Sequence, residues 1–169
     1  MRPQRTDRVE EGPPDARVGQ PEILRVWLLG GFRVCVGTRT VEEGAWRLRK
    51  ASALVKLLAL APGHHLHRER AMDLLWPDQG RHAAANNLSQ ALHAARHALG
   101  PDDIQAADSR YLASRGEQLV LCQGAELWVD VEAFEEAAAT ARRSREPAAY
   151  RAALNLYAGE LLPKDPYEE

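Results

Sequence analysis

The first part of the chain alternates apolar and polar residues in the way that is typical of β-strands. The alternation runs over residues 23–28 and 32–36, and Gly30 and Gly31 lie between the two runs. Successive side chains of a strand point to opposite faces, so each run predicts a strand with one buried face. The glycine pair predicts the turn of a hairpin, and residues 40–41 predict a further short strand. We therefore expect a small antiparallel sheet before residue 46.

A helical period replaces this alternation in the next stretch of the chain. Apolar residues recur three and four positions apart over residues 47–60, 68–76 and 84–99, which predicts three helices. Proline or glycine follows each of these segments and predicts where each helix ends. Residues 64–67 are expected to form only an extended link between the first two helices.

The last third of the chain predicts a hairpin and then two further helices. Alternation returns from Ile104 to Cys122, with turns expected near residues 108–110 and at 115–117. Beyond Gly124 the pattern is helical. Asp130 is expected to be the N-cap of a helix to about residue 143, with Val129 and Phe134 forming a hydrophobic staple. A second helix is expected from Pro147 to a cap at Gly159. The apolar stripe of this second helix consists of Tyr150, Ala153, Leu154 and Tyr157.

Composition alone is that of an ordinary soluble protein, but the charge is unevenly distributed. The 169 residues carry a formal net charge of −2. Residues 46–99 carry a net charge of +5 and all six histidines, whereas residues 100–169 carry −7. This asymmetry favours a basic binding module joined to an acidic neighbour.

Other features of the composition bear on compartment and boundaries. Residues 1–21 are rich in proline and charge and are expected to be a disordered tail. No apolar run is long enough for a membrane span or a signal peptide, so a cytoplasmic protein without membrane contact is expected. Cys35 and Cys122 have no CxxC spacing and are expected to be small core residues in a reducing compartment.

The helix predicted over residues 84–99 has the most informative pattern, because one side is apolar and the other is polar without any acid. The apolar side consists of Leu88, Ala91, Leu92, Ala95, Ala98 and Leu99. The polar side consists of Asn86, Asn87, Ser89, Gln90, His93, Arg96 and His97. Amide, imidazole and guanidinium groups bond base edges and phosphates, whereas an ordinary solvated face mixes Glu with Lys. The pattern favours a helix that lies against an anion, although a face that merely contacts water would fit the same residues.

The order of predicted elements is sheet, three helices and hairpin, which is that of a winged helix-turn-helix. In that α+β fold the third helix enters the major groove of DNA, and the hairpin, or wing, reaches the backbone or the minor groove. The sequence therefore predicts a DNA-binding fold followed by helices that need a further packing partner.

Several segments, taken in order, resemble a known family. The run LRKASALVKLLALAPGHHLHRERAMDLLWPDQGRHAAANNLSQALHAARHALG resembles an OmpR-type winged helix, and most closely the form found in the antibiotic regulatory protein (SARP) class of bacterial activators. The segments ELWVDVEAFEEAAATA and ALNLYAGELLPKDPYEE resemble the start of the bacterial transcriptional activator domain that follows it there. The resemblance covers residues 23–169 and leaves out the tail expected over residues 1–21. It implies a winged-helix domain over 22–122 and a truncated, tetratricopeptide-like activator domain over 123–169.

The family resemblance implies a sequence-specific transcriptional activator rather than an enzyme. Such proteins bind repeated sites in double-stranded promoter DNA, usually as a homodimer, and contact RNA polymerase holoenzyme. No cofactor is expected, and the chain has no GxxxxGK[ST] stretch on which an ATPase could be assigned.

Helix geometry and the resemblance assign candidate roles to individual residues. The residues expected to contact bases are Asn86, Asn87, Gln90, His93 and His97. Among these, Asn87 and Gln90 are the best readers, because a side-chain amide pairs bidentately with adenine. The phosphate candidates at helix starts are Arg49, Lys50 and Arg68, each equally compatible with a solvated surface charge. Arg96 is expected either to brace the helix or to bond a phosphate.

The resemblance extends these roles to the wing and to a loop. It implies that Arg110 lies in the wing, and Arg115 at the second turn is the alternative. It also implies that the loop between helices two and three faces polymerase, through Asp78, Gln79 and Arg81. Trp76, at the end of helix two, is expected to be a core anchor.

Two other classes of function compete with DNA binding. The basic face would also fit a protein-interaction module that docks an acidic partner. The spacing of His64, His65 and His67, or of His93 and His97, is compatible with zinc, and would fit a metal-dependent hydrolase. No cysteine or paired carboxylate joins these histidines and no catalytic motif is present, so we expect neither a metal site nor an enzyme.

Overall fold

The computed structural model describes residues 22–100 and 109–164, which form two sheets and five helices. The strands are β1 (Leu24–Trp27), β2 (Arg33–Val36), β3 (Arg39–Thr40), β4 (His65–His67), β5 (Leu112–Arg115), β6 (Gln118–Leu121) and β7 (Leu127–Val129). The helices are α1 (Arg49–Leu60), α2 (Arg68–Leu75), α3 (Arg81–Leu99), α4 (Asp130–Ser144) and α5 (Pro147–Leu156). The predicted tail over residues 1–21 and the strand predicted around Ile104 lie outside the described residues.

The first sheet has the strand order β3-β2-β1-β7 and is mixed rather than purely antiparallel. The antiparallel pairing of β1 with β2 confirms the predicted hairpin. β7 pairs parallel to β1, so a strand that the sequence did not predict lies between Gly124 and α4. Trp128 of β7 and Trp27 of β1 have ring centroids 5.4 Å apart across this pairing. Three residues are too few to show a strand period, so the sequence alone could not reveal β7.

The second sheet has the strand order β4-β6-β5 and contains the hairpin that follows α3. β5 and β6 are antiparallel and turn at Gly116, whose φ of +57° suits a residue without a side chain. The turn predicted at residues 115–117 is therefore confirmed. β4 was predicted to be only an extended link, but it pairs with β6, and Leu66 lies opposite Leu119.

One hydrophobic core lies between the first sheet, helices α1 to α3 and the second sheet. Alternate residues of β1 and β2 point into it, including Leu24, Val26 and Val34. Cys35 lies between two such buried positions and is only partly buried, so it was wrongly expected to be a core residue. Trp76 packs against the core at the end of α2, as predicted.

The start of α4 is attached to the end of β1 by one buried carboxylate. Asp130 accepts hydrogen bonds from the backbone N–H of Leu28 at 2.9 and 3.0 Å and of Leu29 at 2.9 Å. It is the first residue of α4, and Val129 occupies the N-cap position. The prediction of Asp130 as a helix N-cap was therefore wrong, because its side chain binds the N–H groups of a distant strand end.

The end of the described chain returns to the turn between β1 and β2. Leu29 and Leu161 form an isolated β-bridge, and the N–H of Gly30 donates to Glu160 O at 2.8 Å. Gly30 has a φ of +76°, and a Cβ there would lie 2.7 Å from Ala158 O. Only glycine fits this close approach without a shift of backbone. The boundary predicted at residue 122 stays a prediction, and these bonds cross it.

Helices α4 and α5 pack against each other, with the rings of Phe134 and Tyr157 5.7 Å apart. Pro147 occupies the first turn of α5, as predicted. The helix ends at Leu156 with Tyr157 as its C-cap, so Gly159 was wrongly predicted to cap it. Across the described part of the chain, no helix combines the length and apolarity needed to cross a membrane.

Candidate nucleic-acid interface

Helix α3 begins at Arg81, three residues earlier than predicted. Gly80 is its N-cap residue, and the N–H of Ala84 donates to Gly80 O at 3.0 Å. Arg81 was therefore wrongly assigned to the loop, and its guanidinium pairs with the carboxylate of Glu69 in α2. Apart from alanine, the first turn of α3 contains no apolar residue. The apolar periodicity therefore begins later than the helix does, which explains why the predicted start was too late.

The structure divides α3 into the two faces that its sequence predicts. All six predicted apolar residues are at most 3% exposed. On the polar side, Asn86, Ser89, Gln90 and His93 are exposed. The helix contains no Asp or Glu, so this face presents amide, hydroxyl and imidazole groups to solvent.

A groove of about 450 Å³ lies between the polar face of α3 and the start of α1. Its lining residues are Arg47, Leu48, Ser89, Gln90, His93, Ala94 and His97. The groove thus brings together three predicted base-contacting side chains, Gln90, His93 and His97. Sequence reasoning missed Arg47, although it precedes the basic pair that opens α1.

The first turn of α1 is a favourable place for an anion beside this groove. Arg49 and Lys50 are exposed, and the turn contains no acidic residue. The N-cap residue Leu48 offers no side-chain hydrogen bond to the first N–H groups of the helix. Such N–H groups, together with the positive end of the helix dipole, attract phosphate. Arg68, at the start of α2, is half-buried instead.

The loop before α3 contributes an amide to the polar face. Asn87 is half-buried, and its Nδ2 donates to Oε1 of Gln79 at 2.5 Å. Gln79 was expected to face polymerase, but it contacts the residue predicted to be a base reader. Asp78, beside it, is exposed.

Arg96 joins α3 to the hairpin. Its Nε donates to Leu112 O at 2.9 Å and its Nη2 donates to Ser114 Oγ at 2.8 Å. Burial, and secondarily the charge of Arg68, lower the pKa of the Arg96 guanidinium below its ordinary value. Of the two roles left open for Arg96, these contacts fit bracing.

The two candidate wing arginines lie at opposite ends of β5. Arg115 is exposed next to the turn at Gly116, and its Nε donates to Gln123 Oε1 at 2.6 Å. Arg110 is exposed at the other end, where it lines a cavity of about 310 Å³ with Arg39. Arg39 donates to Leu99 O at 2.6 Å and so covers the last carbonyls of α3. Of these two arginines, Arg115 is therefore the one near the tip of the hairpin.

The histidines of the 64–67 segment make separate local contacts. His64 Nε2 lies 3.2 Å from the carboxylate of Glu132, and its Nδ1 lies 3.3 Å from Leu58 O. His67 Nδ1 accepts from the N–H of Glu69 at 3.3 Å and caps α2. Within residues 22–100 and 109–164, no three His, Cys, Asp or Glu side chains are grouped as metal ligands.

Burial raises the pKa of the Cys122 thiol to about 12, which suppresses its thiolate.

Among solved structures, the fold is similar to that of EmbR from Mycobacterium tuberculosis, determined in complex with a low-affinity phosphopeptide. The TM-score is 0.59 at 20% sequence identity, and the match covers 83% of this chain. The chain corresponds to 38% of the EmbR chain. No protein-family model matches the sequence, and neither does any curated protein. At this identity the similarity concerns the fold, which is a mixed α+β arrangement of sheets and helices.

Proposed function

We propose that this chain is a sequence-specific DNA-binding transcriptional activator of the SARP class, built on a winged helix-turn-helix. The observation that carries the proposal is the acid-free polar face of α3, which is exposed while the opposite face forms the core. A helix presented in this way fits the major groove, where amide side chains pair with adenine. In this arrangement Asn86, Asn87, Gln90 and His93 face the bases.

The order of elements and the fold comparison support this proposal. A sheet, three helices and a β-hairpin follow one another along the chain, which is the order of a winged helix-turn-helix. The fold is similar to that of EmbR, a SARP-family transcriptional regulator. The hairpin of β5 and β6 would act as the wing and would bring Arg115 to the DNA backbone.

Phosphate contacts would come from the other side of the groove. Arg47 lines the groove together with Gln90 and His93. Arg49 and Lys50 follow it in the first turn of α1. The cations on one side would contact phosphates and set the register of the protein on the duplex. The amides on the other side would contact bases and set the sequence preference. Arg96 would stiffen the link between α3 and the wing.

The C-terminal helices α4 and α5 would contribute to transcriptional activation rather than to DNA binding. We propose that α4 and α5 are the first helices of a tetratricopeptide-like activator domain, and that the protein binds promoter repeats as a homodimer. Exposed acidic residues of α4, among them Glu135 and Glu136, and Asp78 in the α2–α3 loop are the candidates for contact with RNA polymerase holoenzyme.

Selection of binding sites from a random pool of duplex DNA tests the proposal. We expect the chain to enrich a repeated motif, and its affinity to fall with salt at a log–log slope of about −0.9 per phosphate neutralised. Gln90→Ala should relax the base preference at one position, while Lys50→Ala should weaken binding to all sequences alike. The matched control is Lys56→Ala, since Lys56 lies on the same helix but has its ammonium over the Phe32 ring, 4.8 Å from the centroid.

Failure to enrich any motif would contradict DNA recognition. The basic face would then be better explained as a docking surface for an acidic protein, which was the competing hypothesis from the sequence.

A further inference from the structure

The loop between α2 and α3 positions one amide side chain against another. Gln79 lies two residues before α3, and its backbone N–H donates to Trp76 O at 3.2 Å. From this turn its Oε1 accepts the hydrogen bond from Asn87, in the second turn of α3. An exposed ion pair between Arg81 of α3 and Glu69 of α2 lies at the same end of α3. The loop is therefore tied to the polar face of α3 rather than standing away from it.

The bond leaves Asn87 with the groups that base recognition needs. A side-chain amide carries two N–H donors and one carbonyl acceptor. Asn87 uses one N–H on Gln79, so one N–H and Oδ1 remain. These two groups form the donor–acceptor pair that an asparagine presents to N7 and N6 of adenine.

The bond also restricts how the Asn87 amide can turn. A side chain on a helix surface samples several rotamers, and binding in one of them costs conformational entropy. A partner that already holds the amide plane reduces this cost and favours a single base. The half-buried position of Asn87 limits its freedom further.

We infer that Gln79 is a positioning residue for base recognition by Asn87, so that the α2–α3 loop contributes to the sequence preference of α3. This inference rests on the proposed DNA-binding function and deepens it. It assigns to the pair one adenine within an A·T base pair of the recognised site. It also moves Gln79 from the surface expected to contact polymerase to the surface that reads DNA.

Selection from random duplexes, followed by competition binding, tests the inference with six proteins. These are the wild-type chain, Asn87→Ala, Gln79→Ala, the variant with both alanine substitutions, Gln79→Glu and the loop control Asp78→Ala. We expect Asn87→Ala and Gln79→Ala to lose the same adenine preference, each by about tenfold. A chain carrying both alanine substitutions should lose little more than either alone, because the two side chains act as one unit.

The conservative variant separates positioning from general effects. Gln79→Glu keeps an acceptor oxygen for Asn87, so it should keep the adenine preference, while its carboxylate weakens binding to every duplex by repelling phosphates. Asp78→Ala should keep the preference as well. The thermal unfolding temperature of Gln79→Ala should equal that of the wild type, since the pair lies at the surface.

Several outcomes would overturn the inference. If Asn87→Ala loses the adenine preference and Gln79→Ala keeps it, Gln79 does not position Asn87, and the proposed function stands. If Gln79→Ala instead lowers the unfolding temperature and the affinity for every sequence equally, its role is structural. If the wild-type chain enriches no motif, the proposed function fails and this inference fails with it.

Discussion

Helices α3 and α5 carry the same kind of apolar stripe, but the structure buries the whole stripe of α3 and only Ala153 of the stripe of α5. In α3 the side chains of Leu88, Leu92 and Leu99 are at most 3% exposed. In α5 Leu154 is 66% exposed and Tyr150 is 45% exposed. Helix α3 packs against α1, α2 and β5, whereas α5 packs against α4. A periodic stripe therefore predicts the apolar face of a helix, and the number of neighbouring elements decides whether that face is buried in a core.

Truncation of Leu88 is the sharpest test of this difference. Leu88→Ala leaves a cavity in a fully buried site, so the free energy of unfolding should fall by about 2–5 kcal/mol. Urea unfolding followed by circular dichroism measures the change. The control is Ser89→Ala, at the exposed neighbouring position, which should cost less than about 0.5 kcal/mol. Equal midpoints for the two variants would mean that α3 is not packed as described.

Asp130 tests whether α4 is anchored as firmly as α3. Asp130→Ala leaves the N–H groups of Leu28 and Leu29 buried without their acceptor, which should cost about 2–4 kcal/mol. Glu135→Ala, at an exposed carboxylate of the same helix, is the matched control and should have little effect. If Asp130→Ala unfolds at the same urea concentration as Glu135→Ala, the link between α4 and β1 does not form in solution.

Arg96 tests how the polar side of α3 holds the hairpin. Arg96→Ala removes bonds to Leu112 O and Ser114 Oγ, so we expect a loss of about 1–3 kcal/mol and faster amide hydrogen exchange in β5 and β6. His93→Ala, at an exposed position one turn earlier, should leave that exchange unchanged. Unaltered protection of the hairpin in Arg96→Ala would show that the hairpin does not depend on the Arg96 hydrogen bonds.

The burial of the Cys122 thiol can be tested through the pH dependence of stability. Its thiol has a pKa of about 12 in the folded chain, against an ordinary value of 9.0, so the unfolded chain loses this proton first. The protonated thiol's contribution to the free energy of unfolding is fully present below about pH 9. It is lost as pH rises from about 9 to 12, at up to about 1.4 kcal/mol per pH unit. Urea unfolding at pH 8 and pH 10 should show a smaller alkaline loss for Cys122→Ala than for the wild type. Identical losses would show that the thiol is not buried.

Leu154 should give the smallest effect. Leu154→Ala removes a largely exposed side chain, so the free energy of unfolding should change by less than about 0.5 kcal/mol. A cost close to that of Leu88→Ala would contradict the exposure of Leu154, because it would mean that this side chain is covered in solution. Unfolding that depends on protein concentration would then identify a second copy as the cover.

Local patterns predicted the fold well where elements were long or bounded by glycine. The two faces of α3, the β1–β2 hairpin and the β5–β6 turn all follow from spacing alone. Strands β4 and β7 did not, because each has three residues and is held by a partner more than fifty positions away. A strand of that length has no period to recognise.

Candidate site residues show the same limit. Gln90 and His93 could be placed on the exposed face of α3 from periodicity. Arg47 across the groove, the bond between Gln79 and Asn87, and the attachment of Arg96 to the hairpin could not. Each of these depends on how separate elements are placed against one another.

By itself, then, the order of hydrophobic and polar residues determined which faces of α3 turn inward and outward, because 3.6 residues per turn dictate where each side chain points. Contacts between distant elements leave Tyr150 and Leu154 of α5 exposed, and they place Asp130 against the end of β1, where it does not cap its own helix. Burial and hydrogen bonding depend on neighbours that are distant in sequence, and a local pattern carries no information about them.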